Sequence, residues 1–306
     1  EESPQQQPAA STTTTTTNTS SKNRFAAITA DTTMQRNVQD EVDALGIADK
    51  GQVIVGNWFP SVTTTSTGTG TGTGTATTQT HGSTSSLDLW LDDENGYDTI
   101  LADYLVGAMD GFSPYQQDQM IPLLAKYLKP GGILYIVGLQ PLPDKVDSTT
   151  KDVLSGDGTE AGPETVDAAN IICRVRQVRD ACILLAGHRC YREYPLEWIE
   201  RQIQNEPSLE LVDSRDGGHQ TFPILYRYTT IQKQINVARS KLKFFKSQTL
   251  ASEMSKTLDD LDQQAKRACD SIPGNRIRLG FDYVVAARKK EENASRGWNE
   301  PGRGDR

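Results

Sequence analysis

Five residues stand where apolar runs end: Asp31, Asn57, Trp58, Asp103 and Tyr104. A carboxylate brings two acceptor oxygens, an asparagine both a donor and an acceptor, and tryptophan and tyrosine broad ring faces with a polar tip. Such a set can hold and align a polar ligand, but it contains no nucleophile. No Ser/His/Asp set with a G-x-S-x-G elbow occurs, and no G-x-x-x-x-G-K-[ST] phosphate loop. The four cysteines, Cys173, Cys182, Cys190 and Cys269, lack metal-ligand spacing, so buried thiols and no metal are expected. A further polar, aromatic segment runs His188-Arg189-Cys190-Tyr191-Arg192-Glu193-Tyr194. His219, beside Gly217-Gly218, reads as a surface residue of a polar loop.

Composition narrows the field. The chain has 306 residues, of which 36% are apolar, and a net charge of −8. That charge argues against nucleic acid, whose phosphates demand a basic footprint. Residues 1–23 and 61–86 are rich in Thr, Ser, Gly and Gln; such tracts lack the apolar area to offset ordering entropy and are expected to be disordered. No apolar run is long enough for a membrane span, and no secretory apolar region is visible. A reducing, cytoplasmic setting is the expectation from free thiols.

The elements that must position the polar residues follow from periodicity. Phe25–Thr29 is a short strand, and Met34, Val38, Val42 and Leu45 lie on one face of a helix that Gly46 closes. Gln52–Phe59 is the next strand, ending in Asn57 and Trp58. Removing the tract 61–86 leaves roughly ten residues before the strand that starts at Tyr97, an ordinary connection. Tyr97–Gly138 then reads as strand, loop, helix, the turn Lys129-Pro130-Gly131-Gly132, and the strand Ile133–Val137. A helical crossover makes those two strands parallel. In a parallel sheet, ligands bind at the carboxyl ends of the strands, where Asp103 and Tyr104 fall. Helices are expected from Pro163 to about Gly187, over Pro195–Ile203, Ile231–Phe245 and Leu250–Cys269, and strands at Leu209–Val212 and Leu279–Ala287.

The segment Tyr97–Gly138, with its LKPGG turn, and the closing strand GFDYVVAARK resemble class I S-adenosylmethionine-dependent methyltransferases. The resemblance implies an α/β fold with a doubly wound, mostly parallel sheet and a last strand inserted antiparallel. It implies one domain over 24–290, interrupted by 61–86 and by a helical insertion at 223–275, with a polar tail at 291–306. It further implies S-adenosyl-L-methionine as cofactor and a small-molecule or protein methyl acceptor. Asp31 would accept hydrogen bonds from the ribose hydroxyls, unless it merely caps the following helix. Asn57 and Trp58 would meet the adenine, while Asp103 and Tyr104 would line the methionine end, as pocket walls rather than as a general base. His188, Tyr191 and Arg192 would contact the acceptor, although a solvated helix end accounts for that segment equally well. No single catalytic residue stands out.

One family motif is missing: the glycine-rich loop of E-x-G-x-G-x-G type after the first strand. The Thr-Gly repeat at Gly68–Gly74 is no substitute, being flanked by neither strand nor helix. The expectation is therefore an N-terminally incomplete domain that opens after the family's first strand and binds the cofactor weakly. The alternative is a non-catalytic interaction module that keeps the fold and has lost the cofactor site.

Overall fold

The computed structural model describes residues 24–56, 96–147, 163–212 and 219–291. Asn57, Trp58, the tracts 1–23 and 61–86, and the tail from 292 onward lie outside the described residues. The chain divides into two compact units at Gly56.

In the first unit, strand β1 (Phe25–Thr29), helix α1 (Thr32–Ala44) and strand β2 (Gly51–Val55) form a βαβ unit. The strands are parallel, from Phe25 opposite Gly51 to Thr29 opposite Val55. Gly46 adopts φ 64°, the left-handed conformation that closes a helix most easily with glycine. Of the expected apolar face only Val42 is buried; Met34 and Leu45 are exposed.

The second unit starts with β3 (Tyr97–Asp103), α2 (Leu105–Phe112), α3 (Gln117–Tyr127) and β4 (Leu128–Leu139). The single expected crossover helix is thus two, separated at Ser113–Gln116, where Pro114 precedes Tyr115 at φ 69°. Strands β3 and β4 are parallel, as the crossover requires. β4 begins five residues earlier than the sequence pattern implied. Lys129–Gly132 form a bulge within it, because Tyr97 pairs with Leu128 and Thr99 with Ile133. Gly131 supplies the bulge's positive φ of 78°. Lys289 Nζ braces this corner, donating to the carbonyls of Ala125 (2.8 Å) and Leu128 (2.7 Å) at the end of α3.

The remaining elements are α4 (Pro163–Leu185), α5 (Leu196–Asn205), β5 (Leu209–Leu211), β6 (His219–Tyr226), α6 (Tyr228–Lys241), α7 (Gln248–Ser271) and β7 (Ile277–Lys289). The sheet order is β3-β4-β7-β5, and β6 also pairs with β7. β7 is antiparallel to β4, β5 and β6. The α/β class and the antiparallel closing strand agree with the sequence reading. The described sheet is mixed rather than mostly parallel, because β7 alone makes three antiparallel pairings.

β6 was not legible in the sequence, and it places His219 in a strand instead of a polar loop. It also moves the start of the helical insertion, since residues 223–226 belong to the strand. Pro223, which cannot donate to a ladder, sits where the β6–β7 register shifts. Opposite this irregularity, Gly280 takes φ 73°. Before Gly280, Ile277 and Leu279 join the core under α4, α6 and α7. After it, Tyr283, Val285 and Ala287 join the core of α2, α3 and α5. Cys173, Cys182 and Cys269 are buried free thiols, as expected, and burial pushes all three upward in pKa.

Candidate functional site

The β3 strand leaves its ladder at Asp103, which pairs with Val137. Tyr104 then turns the chain, at φ 46° and ψ 19°, and opens α2. Left-handed backbone is uncommon for a residue with a bulky side chain and costs on the order of 1–3 kcal/mol. The turn is held by the Tyr104 N–H, which donates to Val137 O at 3.1 Å. Asp103 is exposed and Tyr104 half-exposed at this carboxyl edge.

The Tyr104 hydroxyl is hydrogen-bonded to Asp282 of β7. Partial burial, then that bond and the negative charges of Asp282 and Asp103, push its pKa up to about 12. Burial likewise raises the Asp282 carboxyl, and the Tyr104 hydrogen bond works against that rise. Asp282 pairs with Leu139, the last residue of β4, and with Phe222 of β6. It is therefore fixed on both sides, whereas Asp103 ends its strand.

Tyr226 joins this group from β6. Burial, then Asp282 and Glu193, push its hydroxyl up to about 12, opposed by Arg179 and Arg176 of α4. Arg179 is engaged by Asp180 (2.7 Å) and by Gln234, and Arg176 by Asp144 (3.4 Å). An alkaline prediction follows. Between about pH 10, where an unfolded tyrosine ionises, and pH 12, the folded chain keeps a proton on Tyr226 that the unfolded chain releases. Stability is complete below that window and falls as pH rises through it. Urea unfolding at pH 9 and at pH 11.5 should differ by about 2 kcal/mol less in Tyr226→Phe than in the unsubstituted chain.

The segment His188–Tyr194 lies along α2. The Arg192 N–H donates to Gly107 O at 3.3 Å. A Cβ at Gly107 would stand 2.6 Å from Arg192 O, and one at Gly111 would stand 2.9 Å from the Tyr191 ring. The two glycines, one turn apart, are what let the segment approach. Asp110, buried between them on the same helix, faces Arg192 at 3.6 Å and Arg189 at 3.8 Å. Arg189 also covers the Tyr115 ring, 5.2 Å from its centroid.

Tyr191 and Arg192, both exposed, are therefore brought onto the helix that Tyr104 opens. His188 is not among them: it packs edge-on against Phe244, with centroids 5.2 Å apart. His219 pairs with Glu200 at 2.9 Å. In the first unit, Asp31 accepts from the Thr33 and Met34 N–H groups at 2.8 and 2.9 Å, so it does cap α1. It follows the carboxyl end of β1, as expected. Asn57 and Trp58 lie outside the described residues.

Asp282 and Glu193 were missed as site residues. Asp282 was hidden in GFDYVVAARK, which reads as one closing strand. The available signal was a carboxylate inside an otherwise apolar run, which is costly to bury without a hydrogen-bonding partner. Among the described residues, no group of three or more His, Cys, Asp or Glu could hold a metal ion, and no helix is long and apolar enough to cross a membrane. A groove of 380 Å³ between α4 and α7 is lined by Glu164, Asp167 and Arg267, among others, and by no strand residue.

No protein-family model matches the sequence, and no curated protein matches it. Solved structures do. One is the YcgJ protein from Bacillus subtilis, at 12% identity and a TM-score of 0.42, covering 88% of this chain and 83% of that one. Another is an S-adenosylmethionine-dependent methyltransferase from Thiobacillus denitrificans in complex with S-adenosyl-L-homocysteine, at 11% identity and a TM-score of 0.33, covering 87% and 76%. A mycolic acid cyclopropane synthase matches at 10% identity and a TM-score of 0.36, covering 87% and 74%. With likeness at this level, the functional reading stands on the chain's own residues and topology.

Proposed function

We propose that this chain is an S-adenosylmethionine-dependent methyltransferase acting on an acceptor other than nucleic acid. The observation that supports it is the sheet: parallel β3 and β4, with β7 antiparallel beside β4. That arrangement leaves Asp103 and Tyr104 at an open carboxyl edge, where parallel α/β sheets hold ligands. Asp103 and Asp282 bring two carboxylates to this edge beside Tyr104, which suits a donor carrying sulfonium and ammonium groups.

S-Adenosylmethionine supplies a methyl group already activated on sulfur, moved by direct displacement. The protein's task is then alignment, with no covalent protein intermediate. That agrees with a sequence that carries no Ser/His/Asp set with a G-x-S-x-G elbow. In this reading Asp103 and Tyr104 line the methionine end, and Tyr191 and Arg192 contact the acceptor.

Calorimetric titration of the full chain with S-adenosylmethionine tests the proposal. Loss of one hydrogen bond to a charged group is worth about 1.5–3 kcal/mol, so Asp103→Ala should weaken binding roughly tenfold or more. Equal affinity of both chains would contradict the role of Asp103.

A further inference from the structure

We propose that Asp282 is the proton acceptor of the transfer reaction and that the Tyr104 hydroxyl orients it. The inference rests on the methyltransferase reading above and adds to it the class of acceptor: one whose attacking nitrogen or oxygen carries a proton.

The geometry singles out Asp282 from the other carboxylates of this edge. Asp103 ends its strand and is exposed, and Glu193 lies in the segment between α4 and α5. Asp282 alone sits within a strand, laddered to Leu139 on one side and Phe222 on the other. It is opposite the last residue of β4, two register positions past the pair Asp103–Val137 that ends β3, so the strand ladder fixes its place near the carboxyl ends of the parallel strands. A half-buried carboxylate there costs desolvation that an apolar residue of the same strand would avoid. Its hydrogen-bond partner, Tyr104, is itself held in a strained left-handed turn, a kind of strain that clusters at functional sites. Hydrogen-bond donation by Tyr104 leaves the second carboxylate oxygen to meet a substrate proton.

The step balances with these groups alone. The acceptor's lone pair forms the bond to the methyl carbon, the carbon–sulfur bond breaks with its electron pair left on sulfur, and the displaced N–H or O–H proton passes to Asp282. The groups that act on the pair are Asp103 on Tyr104, and Tyr226 from β6 with Glu193, Arg176 and Arg179 behind it. Burial raises the Asp282 carboxyl, which makes it a better proton acceptor than a solvated aspartate.

The test is a ¹³C titration of the full chain labelled at aspartate carboxyl carbons, with Asp282→Asn to assign the resonance. Asp282 should titrate above the ordinary carboxylate value of about 3.9. Tyr104→Phe should move it higher still, because the hydroxyl's hydrogen bond favours the charged form. Added S-adenosyl-L-homocysteine should shift its midpoint, while Asp282→Asn keeps an unchanged circular dichroism spectrum. An Asp282 that titrates ordinarily, or independently of Tyr104, overturns the proposal. So does a bound chain whose Asp282 does not respond, and in that case the methyltransferase reading survives. A chain in which no resonance responds to S-adenosyl-L-homocysteine loses both.

Discussion

Replacing Tyr283 by alanine is expected to cost about 3–5 kcal/mol, the range for truncating a fully buried aromatic residue. Tyr283 is only 1% exposed and is among the largest fully buried side chains among the described residues. Its ring passes over Gly138, its register partner on β4, so closely that a Cβ at Gly138 would run into it. Its hydroxyl donates to Tyr194 O at 2.7 Å. One side chain thus joins β7, β4 and the His188–Tyr194 segment. Tyr283→Phe separates the contributions: it keeps the ring and removes one hydrogen bond, at about 0.5–1.5 kcal/mol. Urea unfolding of the two variants measures both. A Tyr283→Ala chain within 1 kcal/mol of the original would mean that the ring does not hold this junction.

The second large effect lies in the other core. Leu258, in the middle of α7, is fully buried beneath α4 and α6. Leu258→Ala should cost about 2–5 kcal/mol, the spread depending on how far the three helices close over the cavity. Because Leu258 and Tyr283 belong to different clusters, the double variant should show nearly additive losses. Hydrogen exchange should locate each defect: faster exchange in α4, α6 and α7 for Leu258→Ala, and in β4 and α5 for Tyr283→Ala. Uniform acceleration by both would mean that the two clusters open as one cooperative body.

How much could be read from the residues is clear at particular places. The runs FAAIT and YDTILAD, each followed by a helical pattern, and ILYIV after the LKPGG turn gave their strands because strands of a parallel sheet read as short, nearly continuous apolar runs. The helices α4, α6 and α7 were legible from length and spacing. β6 was not: HQTFPILY contains a proline and alternates poorly, and it survives as a strand because β7 supplies its ladder partner. The break between α2 and α3 was missed because Ser113-Pro114 follows a run of helical character, and the left-handed Tyr115 beyond it has no sequence signature. The strand-end pair Asp103-Tyr104 was readable, since any βαβ unit exposes that position. Its partner Asp282 was not, because the pairing joins residues 178 positions apart and depends on the register of β7 against β4. Likewise Gly107 and Gly111 read only as small residues until the His188–Tyr194 segment is seen resting on them.

The central claim is that the carboxyl edge of β3 receives S-adenosylmethionine. Backbone amide mapping of the full ¹⁵N-labelled chain with S-adenosyl-L-homocysteine, taken to millimolar concentration, tests it most directly, since it detects weak binding as readily as tight. The account predicts that the largest shifts fall on Asp103, Tyr104 and the first turn of α2. Shifts confined to the groove between α4 and α7, or none at millimolar ligand, would contradict it.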